Sequence, residues 1–437
     1  MKFAIYSAEG AGLSWAKRLL DEGHEVLMYV DYIDPKLASP QRHVGDGIVP
    51  KAKNKIEWQL WGRGGIYLFD SSHWGEFAES LRKRGERVIG SGAFCDRLEE
   101  DREWGFDIAR SVGMKLPKYE NFATIPDAVA KLAKLKGKHY LKTDQYIKAN
   151  ATTSGEPEKL IDHLSNYITP QVGTRISGIL QEQLDGFALS TARWFNGNTF
   201  VGPYEGTVEH KKLLDKDRGP ATGCSFNILW FYGDDAPPIA RALNFEKLAE
   251  VWRKNNAPPG IYDINALLCD NDGEAYFLEW TPRMGYDAQP TDQKGIRDLG
   301  GFLTALVDGR GVDSFFDRGR MYGSVRVTAT PYPAERIEID HKDSAYGLPV
   351  RDIDGLWSKR FLAYGIAFDE QRGYWLADPQ GLVGLVSGAG NDVDLFEGIY
   401  EYLDTHKIVH DQMYRSDAQE RCTEDLKKIV SLGYTTR

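Results

Sequence analysis

The sequence predicts an α/β and α+β protein: a doubly wound α/β domain at the N-terminus, a mixed body, and a sheet-rich domain at the C-terminus. Three observations carry this. Residues 1–31 run strand, glycine turn, helix, strand; residues 261–281 read as a β-hairpin; and the last hundred residues are short apolar runs parted by turns and packed by a terminal helix.

The opening reads KFAIYS, then EGAG, then a helix LSWAKRLLDEG, then HEVLMYVD. Gly10 and Gly12 fit the first two glycines of a dinucleotide fingerprint, and Asp31 sits where a ribose-binding acid would. Trp15 stands at the third glycine position, whose role is close helix–strand packing, so it argues against an NAD site. Two readings remain for this turn, a glycine turn without nucleotide and an NAD-dependent oxidoreductase. The second leaves the chemistry of residues 261–291 unused. GIYLFD (65–70) and RVIGSG (87–92) are further parallel strands, which closes an N-terminal domain over residues 1–97.

LEEDREWGFDIARSVGMKLPKY (98–119) reads as one amphipathic helix stopped by Gly113 and followed by an extended segment. A body over residues 98–322 follows, with a smaller α+β part at 123–190 in which HYLKTD carries Lys142 on a strand and GILQEQLDG carries Glu182. Residues 206–226, GTVEHKKLLDKDRGPATGCSF, read as a polar loop. His210, Lys211 and the turn Gly219–Gly223 would present charge and main-chain N–H groups to an anion there, or form a surface loop. GSVRVTATPYP begins a C-terminal domain over 323–437.

The hairpin is the most informative stretch. Apolar-rich runs 261–268 and 274–280 flank Asp270-Asn271-Asp272-Gly273, strong turn chemistry. A three-residue loop with Gly273 left-handed sets Asp270 opposite Glu274, Asn265 opposite Glu279 and Asp263 opposite Thr281. Alternation then gathers Asp263, Asn265, Glu279, Thr281 and Arg283 on one face. Carboxylates, neutral oxygen ligands and a guanidinium together suit Mg²⁺ held against ATP phosphates. The alternative is a solvated polar sheet face.

At 437 residues the chain is long enough for two to four domains. Its 42% hydrophobic and 27% charged residues are ordinary for a globular protein, and the net charge of −10 argues against passive nucleic-acid binding. The cysteines Cys95, Cys224, Cys269 and Cys422 are far apart without CxxC pairing, which fits reduced thiols in the cytoplasm. MKFAIYSAEG is a first strand rather than a signal peptide, and no run reaches the roughly 18 apolar residues of a membrane span.

In order along the chain, SAEGAGLSWA, LEEDREWGFDIARSVGMKLPKYENF, EHKKLLDKDRGPATG, FLEWTPRMGYDAQP, ATPYP and VHDQMYRSD resemble the phosphoribosylamine–glycine ligase family of the ATP-grasp superfamily. The resemblance implies an ATP-grasp fold and an ATP- and Mg²⁺-dependent ligase. It would join glycine to phosphoribosylamine through an acyl phosphate, releasing ADP and phosphate. It implies Lys142 at the ATP phosphates and Glu279 as the principal magnesium ligand, with Asn265 and Thr281 beside it and Arg283 at the transferring phosphate. Lys148, Glu182 and Asp185 complete the expected ATP contacts, and His210, Lys211, Gly219, Thr222, Gly223 and Asp287 the expected substrate contacts. Partners would be small molecules, with no membrane or nucleic acid, for a monomer or homodimer.

The chain departs from the family at three places. Thr281 replaces an asparagine ligand; TDQYIKANATTSGE, with Lys148 and only Gly155, replaces a glycine-rich loop; Phe187 and Ala188 replace paired acids, with Asp185 nearby. These mark a divergent member. The alternatives are a ligase joining an amino acid to another amine such as a modified nucleotide, or a nucleotide-binding relative without catalysis.

Overall fold

A computed structural model describes residues 1–31, 43–143, 153–333, 341–351, 353 and 359–435. The N-terminal sheet has β1 (Lys2–Ala8), β2 (Glu25–Asp31), β3 (Ile66–Phe69) and β4 (Arg87–Ile89), all parallel, in the order β2-β1-β3-β4. Its continuous apolar runs are explained by helices covering both faces. The first glycine turn needs glycine: Gly10 has φ +94°, and a Cβ there would lie 2.4 Å from Val44 Cγ1. Trp15, fully buried, donates its indole N–H to the Gln289 carbonyl at 3.0 Å, and Asp31 accepts the Tyr6 hydroxyl. Trp15 is thus engaged in packing this domain onto the body, and Asp31 in a contact within the domain.

The single helix expected from residue 98 onward is instead two, Ala93–Glu100 and Arg102–Ser111. Asp101 parts them because its carboxylate caps the second, accepting the Trp104 N–H at 3.0 Å. The smaller sheet has β5 (Tyr119–Phe122), β6 (His139–Thr143), β7 (Thr153–Gly155) and β8 (Gly178–Glu182), in the antiparallel order β5-β8-β6-β7. It has its own core, including Phe122, Leu132, Leu141, Leu160 and Leu180.

The large sheet is built from β9 (Gly186–Phe195), β10 (Phe200–Leu214), β11 (Arg218–Phe231), β12 (Gly260–Cys269), β13 (Ala275–Thr281), β14 (Met321–Thr328), β15 (Phe361–Ala363) and β18 (Leu382–Gly390). A separate two-stranded ribbon joins β16 (Ile366–Asp369) and β17 (Gly373–Leu376). The order of the large sheet is β13-β12-β9-β10-β11-β14-β18-β15. Residues 206–226, expected as a loop, are the two strands β10 and β11. The segment looked loop-like because polar side chains on its cleft face alternate with buried ones. Residues 322 and 323, taken from sequence as a domain boundary, both lie inside β14, which pairs with β11 on one side and β18 on the other. Among the described residues no helix is long and apolar enough to cross a membrane, and all four cysteines are free and buried.

The β12–β13 hairpin reaches the expected register by an unexpected route. Gly273 has φ +70°, as its turn position requires. The loop, however, is one residue longer than expected: the Cys269 N–H bonds the Glu274 carbonyl at 2.9 Å and Leu268 pairs with Ala275. That offset would misalign the far end, but a bulge intervenes. Ala266 pairs with Phe277 and Asn265 with Glu279, leaving Leu278 unpaired, so Asp263 lies opposite Thr281.

Candidate active site

The cleft lies on the large sheet, whose strands contribute rows of side chains at a period of two. One row is Thr281, Asp263, Ala192 and Glu205, on β13, β12, β9 and β10; the next is Glu279, Asn265, Ser190 and Thr207. Glu209 and Lys211 follow along β10, and Arg283, Gly285, Tyr286 and Gln289 close one side of a cavity of about 120 Å³. The five hairpin residues expected to share a face all line it.

Hydrogen bonds fix the floor. Ser190 donates to the Asn265 carbonyl oxygen at 2.7 Å, and the Asn265 amide donates to the Thr281 hydroxyl at 3.0 Å. Glu279 is more open, its nearest cation being Lys211 Nζ at 3.8 Å from Oε1. Desolvation in the cleft raises the Glu279 pKa, but Lys211, Lys142, Arg102 and Arg283 outweigh it and hold the carboxylate below its ordinary range. In return Glu279 is the main cause that raises the Lys211 pKa. The oxygen donors of Glu279, Asn265 and Thr281 are hard and share one face, so this set fits Mg²⁺.

Lys142 reaches the same field from β6 of the smaller sheet. Its ammonium donates to Gln181 at 3.1 Å; burial pushes its pKa down to about 8, opposed by Glu279 and reinforced by Arg102 and Lys211. Arg283 is held by Glu99 through Nε at 3.0 and 3.2 Å and Nη2 at 2.8 Å, with its guanidinium 4.9 Å from the Tyr286 ring. The bidentate grip aims a fixed cation along the cleft wall.

Other expected residues land differently. His210 is a correction. It lies on the face opposite Glu209 and Lys211, stacked on Phe226 at 4.5 Å, with Nδ1 3.0 Å from Asp217 and Nε2 2.7 Å from Asp425. Alternation along β10 sends neighbours to opposite sides, so only one of the adjacent pair can face substrate. Asp287 is also redirected, being fully buried with both oxygens bound by Arg326. Of the glycine turn, Gly223 lines the cleft, while Gly219 packs near Leu214 and Thr222 donates to the Lys211 carbonyl at 3.0 Å. Glu182 accepts the Lys118 N–H at 2.7 Å where the two sheets join, and the Asp185 carbonyl accepts the Asp270 N–H at 2.9 Å. Lys148 lies outside the described residues.

Several residues here were missed from sequence: Glu205, Glu209 and Gln289 in the cleft, Gln181 beside Lys142, Glu99 behind Arg283 and Arg326 behind Asp287. A signal existed for two of them, since Glu205, Thr207, Glu209 and Lys211 recur at the strand period.

No protein-family model matches the chain. Its structure resembles that of phosphoribosylamine–glycine ligase from Thermotoga maritima, with a TM-score of 0.70 at 19% identity, covering 95% of this chain and 100% of that one. It also resembles the biotin carboxylase domain of 2-oxoglutarate carboxylase from Hydrogenobacter thermophilus, with a TM-score of 0.62 at 10% identity over 98% of both chains. The fold is therefore that of the ATP-grasp class. In sequence, the chain is 25% identical over 341 residues to phosphoribosylamine–glycine ligase of Vibrio parahaemolyticus, covering 74% of this chain and 75% of that protein. The enzyme of the same name from Ralstonia nicotianae is 26% identical over 268 residues, and the match spans 58% of this chain and 61% of that relative's length. The chain is a divergent relative of the phosphoribosylamine–glycine ligases.

Proposed function

We propose that this chain is an ADP-forming carboxylate–amine ligase that uses ATP and Mg²⁺, with glycine and phosphoribosylamine as the leading substrates. The observation that carries the reading is the convergence of Glu279, Asn265, Thr281, Arg283 and Lys211 on one cleft of the large sheet, in the electrostatic reach of Lys142 from the smaller one. Relatives named phosphoribosylamine–glycine ligase supply the substrate pair.

A carboxylate does not acylate an amine unaided, because oxide would have to leave. Transfer of the ATP γ-phosphoryl group to a carboxylate oxygen releases ADP and gives an acyl phosphate. The amine then attacks the acyl carbon and loses a proton, and phosphate leaves with the bonding electrons. In this reading Lys142, with Lys148, Glu182 and Asp185, serves the nucleotide, and Arg283 compensates charge on the transferring phosphoryl group. Lys211, Thr222 and Gly223 serve the substrate. Glu279, Asn265 and Thr281 would hold Mg²⁺, which would supply charge neutralisation at the phosphates.

The same reading divides the chain into residues 1–97, a nucleotide-clasping body at 98–322 with 123–190 as its smaller part, and 323–437, the last two sharing the large sheet through β14. The enzyme would act on small molecules in the cytoplasm, as a monomer or homodimer. A second reading, a ligase for an amino acid and another amine such as a modified nucleotide, is favoured by one observation. His210, a cation expected to flank a substrate phosphate, faces Asp217 and Asp425 instead.

A coupled assay for ADP release, with candidate carboxylates and amines offered singly and in pairs, tests both. ADP released only with glycine and phosphoribosylamine together supports the first reading. Release only with a different pair supports the second, and release with neither member required would overturn ligation.

A further inference from the structure

The cleft contains a charge arrangement that phosphate chemistry does not use. Its lining has four acidic side chains, Glu205, Glu209, Asp263 and Glu279, against two cations, Lys211 and Arg283, and burial, with repulsion among the acids, holds Glu205, Glu209 and Asp263 above the ordinary carboxyl range. Arg283 is already bound by Glu99. Glu205 lies on β10, three strands from Glu279 on β13, which at the usual spacing of about 4.8 Å is roughly 14 Å away. A metal ion at Glu279 cannot neutralise it.

The inner row has a distinct shape. Asp263 and Glu205 flank Ala192, whose methyl group leaves a hollow between them. Glu205 is 3% exposed, and its Oε1 accepts the Thr207 hydroxyl at 3.0 Å while its Oε2 has no partner. Asp263 Oδ1 also has none. Independently of the acids, Gln289, likewise 3% exposed, lines the same cavity with its amide oxygen unpartnered. Buried acceptors without donors are costly, so a multi-donor cation is the ligand they suit. A compact metal cage is not indicated, because among the described residues no three of these acids bring their oxygens within 4.8 Å of one another.

We infer that the hollow over Ala192, between Asp263 and Glu205 and beside Gln289, binds a protonated primary amine of the substrate. The inference rests on the ligase reading and names the chemistry of one substrate group. An ammonium carries three donors, matching the three free acceptors. The amine belongs either to the amino acid whose carboxylate is activated or to a second, cationic substrate.

Calorimetric titration of the full chain with MgADP present, using glycine, N-acetylglycine and 1,4-diaminobutane, tests it. Glycine or the diamine is expected to bind, and N-acetylglycine at least tenfold more weakly than the better of the two. Binding by glycine alone assigns the group to the amino acid; binding by the diamine alone assigns it to the second substrate. Glu205→Gln is expected to weaken that binding at least tenfold while ADP affinity stays within twofold; if that variant fails to fold, Gln289→Met carries the same test. The inference is overturned if neither amine binds, if N-acetylglycine binds as well as the better of them, or if Glu205→Gln raises the melting temperature and leaves affinity unchanged. ADP release that needs no amine would sink the ligase reading and leave this binding result standing, whereas ligation with no amine binding in the titration would sink this inference alone.

Discussion

Arg326 binds both carboxylate oxygens of Asp287, and the pair is buried, with the remaining Arg326 nitrogen donating to the Thr222 carbonyl at 2.6 Å and the Tyr332 hydroxyl at 2.7 Å. The ion pair ties β14 to the segment after β13 and to β11, so it braces one wall of the cleft. Breaking a buried pair by removing one partner leaves an uncompensated charge, at a cost of about 3–5 kcal/mol. Asp287→Ala is expected to lose that much stability in urea unfolding. A loss under 1 kcal/mol would mean that the carboxylate is held for substrate rather than for the wall.

Glu279→Gln keeps the volume of the side chain and removes the charge that would anchor Mg²⁺. Turnover, read as ADP release, is expected to disappear, with the circular dichroism spectrum unchanged. Near-normal turnover would move the metal site elsewhere in the cleft.

Lys142 leads to a pH prediction for nucleotide binding. Burial lowers its pKa to about 8, so in the free protein the ammonium is largely present below that pH and is lost above it. ATP affinity is expected to fall as pH rises through about 8, and Lys142→Arg to remove that fall, because a guanidinium stays charged. Titration of a fluorescent ATP analogue from pH 7 to 9.5 measures it, and an identical profile in the variant would clear Lys142 of the role.

His210 leads to a pH prediction for stability. Burial lowers its pKa, but Asp425 and Asp217 outweigh that, so the folded pKa lies above the ordinary value. The stabilisation is then fully present below about pH 6.5, the unfolded value, and is lost as pH rises through the higher folded pKa. Urea midpoints are expected to fall across that window in the wild type and to change less in His210→Gln. Parallel curves would show that Asp217 is held by Arg415 and Arg421 without help from His210.

The hairpin shows how far local sequence carries and where it stops. Period-two alternation and the Asp-Gly turn predicted Asn265 opposite Glu279, and the structure has that pair. The loop length was read one residue short, and the pairing at the site survived only because Leu278 bulges. Leu278 bulges where β13 packs on the helix Arg102–Ser111, with the Trp280 indole donating to the Gly105 carbonyl and Phe277 meeting Phe106, and no local pattern marks it. His210 failed for the opposite reason: residues 206–226 were taken as a loop, and once they are strands, neighbours must part to opposite faces.

The sequence by itself determined the element types at the N-terminus, the alternation that pairs Asp263 with Asn265 along β12 and Glu279 with Thr281 along β13, and Lys142 on its strand, because periodicity and turn chemistry are local properties. Only the tertiary structure decided which distant residues complete those features. Strand order in the large sheet sets Glu205 of β10 across Ala192 from Asp263, and carries β14 to β11 so that Arg326 meets Asp287. Packing of the helix Ala93–Glu100 brings Glu99 to Arg283. Such pairings depend on long-range hydrogen bonding and on burial of apolar faces, and their energies arise only when the whole sheet has closed.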